Sequence, residues 1–229
     1  MKTAFFVDGY NLFYGLLANT NHKWLDLPKL LSHIASIQNP ETIPAEFYYF
    51  SAPILPKLAS RGIKSKEAQD TYIRVLKAQG VKIVLGRHQI VHAKAPKFVN
   101  KETPPSRDNQ VEIWKLEEKE TDVNIALAMY RLATKQLLEK STQPFEQIIL
   151  VSADTDLGPA IRALREDFPD LIIGVILPHR EDSKRIAPGD FLKNAHWVRR
   201  RVTNIELLSH QLPEQFPTHK KPAFKPNYW

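Results

Sequence analysis

Short apolar runs alternate along the chain with longer stretches in which apolar residues recur every three or four positions. Residues 3–7 form the first run, which stops at Asp8-Gly9-Tyr10-Asn11 before Leu12, Leu16 and Leu17 resume at helical spacing. Leu27-Pro28 opens an amphipathic helix with Leu30, Leu31 and Ile34 on one face, and the stretch from Pro40 to Pro44 ends it. Residues 47–51 predict a second strand, 55–79 a strongly charged helix closed by Gly80, and 81–85 a third strand. A helix carrying Val123, Ala126, Leu127, Tyr130 and Ala133 leads to a fourth strand at 145–151. A helix at 157–167, with Ile161, Leu164 and Phe168 facing inward, leads to a fifth strand at 171–177. A short helix near 190–193 and a last strand near 197–202 close the series.

Residues 88–115 break this alternation. His88-Gln89-Ile90-Val91-His92 and Gln110-Val111-Glu112-Ile113-Trp114 alternate like paired strands around a polar, Pro-containing loop, which predicts an inserted hairpin or flap. Its tip carries Lys94, Lys97, Lys101 and Arg107 with Phe98 among them, a pattern that suits either a solvated loop or a nucleic-acid contact. The rest of residues 1–208 reads as one α/β domain, a mostly parallel sheet covered on both faces with right-handed crossovers. Residues 209–229 are expected to be a poorly ordered tail. In it, Phe224, Tyr228 and Trp229 are interleaved with Lys220, Lys221 and Lys225. That arrangement suits base stacking with phosphate neutralisation, or a contact for another protein or a second copy of the chain.

Composition changes this picture in four respects. With 229 residues, 43% of them hydrophobic and 25% charged, the chain has the profile of an ordinary soluble protein with a substantial core. Its longest apolar run, 171–177, is far too short to cross a bilayer, so neither export nor a membrane anchor is expected. Cysteine is absent, which excludes disulfides and thiolate metal sites and fits a cytoplasmic protein. A formal charge of +7 favours a polyanionic partner such as RNA.

The candidate chemistry lies in carboxylates at strand ends. The fourth strand runs into Ser152-Ala153-Asp154-Thr155-Asp156, where one Asp would suffice to cap the following helix. Asp8 ends the first strand, and Asp122 stands at the first turn of the helix feeding the fourth. If the first strand is central and the fourth lies beside it, these acids share the edge of the sheet where such folds form their sites. Crowded carboxylates repel one another, and a hard divalent cation, Mg²⁺ or Mn²⁺, is the economical neutraliser. Such a cation can activate water and stabilise a phosphodiester under in-line attack. The alternative is that Asp156 caps its helix while Asp154 is merely solvated. Asn11 is either a ligand for water or phosphate or a cap residue, and Lys119 either a phosphate contact or solvent-facing. The run Glu117-Glu118-Lys119-Glu120 reads as a solvated face.

Taken in order, Val7-Asp8-Gly9-Tyr10-Asn11, then Glu118-Lys119-Glu120-Thr121-Asp122-Val123, then Ser152-Ala153-Asp154-Thr155-Asp156-Leu157 resemble the three motifs of NYN-domain proteins. This PIN-like ribonuclease group includes the bacterial LabA-like proteins. The resemblance covers roughly residues 2–202, outside the insert and the tail. It implies a three-layer α/β/α, Rossmann-like fold and a metal-dependent ribonuclease site whose acids map onto Asp8, Asp122, Asp154 and Asp156, with Asn11 beside them. Lys119, Ser152 and Thr155 are the candidate substrate contacts. Glu120 departs from the pattern, since the family commonly has a small residue there; it either adds a ligand or lies outside the site and weakens polyanion binding. Asn194-Ala195-His196-Trp197 supplies no acid where the family often carries one near the last strand.

The expected function is therefore hydrolysis of RNA phosphodiester bonds by a metal-dependent endoribonuclease. A non-catalytic RNA- or protein-binding adaptor on the same fold is the alternative. A phosphatase of the haloacid-dehalogenase type also uses Asp-x-Asp, but on its first strand, whereas here the pair follows the fourth.

Overall fold

Residues Lys2–Asp8 form β1, whose apolar side chains alternate between two cores: Phe5 and Val7 enter one, Ala4 and Phe6 the other. Burial on both faces is why the run is continuous rather than alternating, as in parallel sheets sandwiched by helices. A computed structural model describes residues 1–139, 142–219 and 221–229. After β1 come α1 (Gly9–Leu12), continued by a π-helical turn to Leu17, and α2 (Leu27–Gln38). Then follow β2 (Ile43–Ser51), α3 (Ile63–Ala78) and β3 (Lys82–Leu85). Beyond them lie β4 (Arg87–Pro96), β5 (Gln110–Lys119), α4 (Thr121–Leu138) and β6 (Gln147–Val151). The chain continues through α5 (Gly158–Asp167), β7 (Ile172–Ile176), α6 (Gly189–Asn194), β8 (Trp197–Arg199) and α7 (Asn204–Ser209). Last come β9 (Gln215–Phe216) and β10 (Ala223–Phe224).

Six strands make one sheet in the order β3-β2-β1-β6-β7-β8, and every neighbouring pair is parallel. The fold is thus α/β with a parallel central sheet and flanking helices. Residues of α2 and α3 pack in one core, those of α4, α5 and α6 in the other. Chain order reverses between β1 and β6, so the crevice beyond their carboxyl ends is the natural site position. Their register, with Val7 opposite Val151, brings Asp8 level with Ser152.

Local signals place several of these elements. Asp26 caps α2 by accepting the Lys29 N–H, with Pro28 in the first turn, and Thr203 with Glu206 forms a reciprocal capping box on α7. The helix expected over 55–79 divides, with a short 3-10 turn at Pro56–Leu58 and α3 beginning after Gly62, whose φ of 54° interrupts the spiral. On α4 the packed stripe is Ile125, Met129 and Ala133; Val123 and Leu127 are exposed. Strands β4 and β5 pair antiparallel from Arg87 with Lys119 to Pro96 with Gln110, forming the inserted hairpin. Residues 117–119, read from sequence as part of a solvated face, complete β5.

The segment expected to be a flexible tail is placed against α3. Strands β9 and β10 pair, and Ala223 joins the core. The Tyr228 hydroxyl donates to the Lys64 carbonyl at 2.6 Å, and Trp229 meets Trp24 and Tyr72 with ring centroids 6.1 and 5.9 Å away. Phe224 remains exposed, and Lys220 lies outside the described residues. Among the described residues, no helix is long and apolar enough to cross a membrane.

Candidate functional site

Asp8 is both the last residue of β1 and the N-cap of α1, which fixes its carboxylate where strand becomes helix. Its Oδ1 accepts the Asn11 N–H at 2.9 Å and its Oδ2 the Ser152 hydroxyl at 3.0 Å. The glycine that follows is demanded by close approach, since a Cβ on Gly9 would stand 2.5 Å from the Tyr49 ring and 2.7 Å from the Phe50 carbonyl oxygen. Across the seam, Ser152 Oγ accepts the Asp154 N–H at 3.0 Å, and Asp154 Oδ1 accepts the Asp156 N–H at 3.0 Å. Asn11 Oδ1 accepts the Ala153 N–H at 3.0 Å and so latches the first turn of α1 to the loop after β6.

Asp122 reaches the same place from the first turn of α4. One carboxylate oxygen from each of Asp8, Asp122 and Asp154 lies within 4.8 Å of the others. A cavity of about 300 Å³ opens over them, lined also by Tyr10, Asn11, Glu118, Glu120, Thr121 and Val123. Burial, then the charges of Asp154, Asp8 and Asp156, push the Asp122 carboxyl up to about 6. Asp8 is raised too: burial outweighs the Asn11 N–H and the Ser152 hydroxyl, which favour its charged form, while Glu118 and Asp154 add repulsion. In both, burial is the larger cause and repulsion among the acids adds to it, and a cation among them would oppose the shift. A set made only of hard oxygen donors could hold a divalent metal.

The hairpin adds residues that the sequence reading missed. Glu118, read there as solvated, is half-buried at the root of β5, and its Oε1 accepts the Thr121 hydroxyl at 2.5 Å. Burial raises the Glu118 carboxyl; the Thr121 hydroxyl and His88 lower it, and Asp122 raises it further. His88 faces Glu118 in the β4–β5 register. Its Nδ1 is 2.8 Å from the Pro53 carbonyl oxygen, which requires an N–H there, and its Nε2 shares a hydrogen bond of 3.1 Å with the Tyr10 hydroxyl. Carrying the two-residue alternation of β5 on from Trp114 and Leu116 would have reached Glu118. No local pattern announces the pairing of Tyr10 with His88, which lie 78 residues apart.

The other predicted residues fall as follows. Asp156 and Thr155 are exposed on the turn after Asp154, and Asp156 lies outside the group of three converging carboxylates. Ser152 is fully buried with its hydroxyl engaged by Asp8 and Asp154, which makes it a positioning residue and not an accessible substrate contact. The Lys119 ammonium pairs with Glu117 at 2.6 Å and does not line the cavity. Glu120 does line it, but its carboxylate pairs with Arg87 at 2.7 Å. Its φ of 79° lies in the left-handed region, which glycine adopts without strain.

Comparison with known proteins agrees with this architecture. The NYN domain family matches residues 2–187. Over an alignment of 246 residues the chain is 32% identical to 6-hydroxy-3-succinoylpyridine 3-monooxygenase HspA of Pseudomonas putida (strain DSM 28022 / S16), with 100% of this chain and 75% of that protein covered. A crystal structure of a protein of unknown function from Vibrio parahaemolyticus superposes with a TM-score of 0.50 at 15% identity, covering 92% of this chain and 96% of that one. At that identity the likeness speaks for the fold alone.

Proposed function

Because the chain belongs to the NYN domain family, we propose that it hydrolyses RNA phosphodiester bonds as an endoribonuclease, with Mg²⁺ or Mn²⁺ held by Asp8, Asp122 and Asp154. The observation that carries this reading is the convergence of three carboxylate oxygens within 4.8 Å at the switch point of the sheet. A divalent cation bound there supplies activation of water and neutralisation of the phosphate oxygens. The chain's own residues do the rest. Ser152 and the Asn11 N–H hold the Asp8 carboxylate in one orientation, and the Asp156 N–H does the same for Asp154. Asn11 spends its Oδ1 on Ala153, which leaves its Nδ2 to donate to a phosphate oxygen. Asp156, exposed beside the group, adds negative charge that favours a cation. The formal charge of +7 supports a polyanionic substrate, and the place of action proposed is the cytoplasm.

The test is incubation of the purified protein with labelled RNA and DNA in Mn²⁺, Mg²⁺ or EDTA, beside Asp154→Asn. RNA should shorten with either metal, and neither EDTA nor the variant should support cleavage. Cleavage persisting in both would overturn the metal reading, and saturable RNA binding without cleavage in any metal would favour the adaptor.

One observation favours a second reading: the 32% identity, along the whole chain, to a protein named as a pyridine monooxygenase. On that reading one atom of O₂ enters an aromatic ring, the other leaves as water, and a reduced nicotinamide or flavin supplies two electrons. Offering the protein that pyridine with NADH and O₂, and measuring oxygen uptake and hydroxylated product, separates this activity from RNA cleavage.

A further inference from the structure

Beside the acidic cavity lies a larger one of about 830 Å³. Tyr10 lines both, so the two meet across one side chain. The walls of the larger cavity are aromatic: Tyr10 lies 5.9 Å from Tyr14, and Tyr72 lies 5.9 Å edge-on from Trp229, measured between ring centroids. Tyr49 also lines it, only 8% exposed, and its hydroxyl has no hydrogen-bond partner among the described residues. That oxygen is not sealed from solvent, so it can hydrogen-bond with whatever enters the cavity.

The charges are one-sided. Lys23 and Arg61 line the cavity, and among the described residues no Asp or Glu does. The Arg61 guanidinium lies 4.6 Å from the centroid of the Tyr228 ring and forms no ion pair among the described residues. Lys23 Nζ donates to the Thr20 carbonyl at 2.5 Å. Burial and then the Arg61 charge lower the Lys23 pKa, so two like charges face one space with no anion between them.

We infer that this cleft binds a planar aromatic ring joined to an anionic group, with the ring among Tyr10, Tyr14 and Tyr49 and the anion at Arg61 and Lys23. The volume agrees, since ligand sites run to roughly 300–1,000 Å³ and a bare ring would leave most of this one empty. Two sources share the chemistry. In a nucleotide, the cleft would take an unpaired base beside the phosphate presented to the carboxylates; otherwise the ligand is a small aromatic carboxylate. The inference stands on this cavity and not on hydrolysis, so its test is made in EDTA, where failure of one reading leaves the other intact.

The full chain is titrated with adenosine 5′-monophosphate and with 4-phenylbutyrate, against adenosine and inorganic phosphate, by calorimetry and by quenching of tryptophan fluorescence. At least one ring-bearing anion should saturate and bind about tenfold or more tighter than either control. Arg61→Gln should weaken it by about ten- to a hundredfold, and Tyr49→Phe by about two- to tenfold, with the circular dichroism of both variants unchanged. Saturation by the nucleotide alone identifies a base subsite, and by the carboxylate alone a site for an aromatic acid; either supports the inference. If neither anion saturates, or if both folded variants bind as the parent does, the inference is wrong.

Discussion

Ser152 Oγ lies 3.0 Å from Asp8 Oδ2 and accepts the Asp154 N–H at 3.0 Å, so one buried hydroxyl ties together two carboxylate positions from different strands. Ser152→Ala should cost about 1–2 kcal/mol of stability, because a charged acceptor loses a buried donor. Mn²⁺ affinity and RNA cleavage should each fall by about ten- to a hundredfold, the usual effect of releasing a ligand from its orienting partner. Thermal melts and a Mn²⁺ titration check this, and an unchanged affinity would show that Asp8 needs no such support.

Asp122→Asn should separate stability from function. Removing one of three crowded carboxylates relieves repulsion, so the metal-free variant should melt higher than the parent at pH 7.5 while losing any rise on adding Mn²⁺. A variant that melts lower without metal would count against the crowding.

Burial of Asp122, with the crowding added to it, sets a pH dependence. The Asp122 carboxyl titrates at about 6 in the folded chain, against roughly 3.9 in an unfolded one. The native state therefore binds the proton more tightly, so the metal-free stability from this group is fullest below the unfolded value and is lost as pH rises through about 6. A cation competes with that proton. Mn²⁺ should raise Tm at pH 7.5 and do far less at pH 5; an equal rise at both would place the ion elsewhere.

At Glu120 the prediction concerns backbone. With φ at 79°, Glu120→Gly should be more stable than Glu120→Ala by about 1 kcal/mol, since both variants lose the Arg87 ion pair and differ only in left-handed strain. Chemical denaturation of the two reads the difference directly.

How far the sequence disclosed this site depended on how local each signal is. Asp8 with Asn11, and Asp154 with Asp156, stand where an apolar run gives way to a helix start, and those punctuation marks survive without knowledge of the fold. The continuous apolar runs around Phe5 and Ile149 likewise announce strands buried on both faces. On α4, apolar residues occur almost all round, so spacing alone admitted Val123 and Leu127 to the packed face, which belongs to Ile125 and Met129. Glu118 was hidden in a charged run, and Tyr10 with His88 by distance along the chain. Tyr228 and Trp229 read as part of a poorly ordered tail because their partners, Lys64, Tyr72 and Trp24, lie far upstream.

The pairing of β1 with β6 has a further effect. Asp8 and Ser152 are 144 residues apart, and Asp122 arrives from a third segment, so no single element or hairpin contains the constellation. It comes into being only when the two halves of the chain dock along the middle of the sheet. A cation held there would rivet that joint, and by mass action would add stability that grows with the logarithm of its free concentration above Kd. Ion uptake by this chain would then double as an assay of complete folding, and a chelator would behave towards it as a mild denaturant.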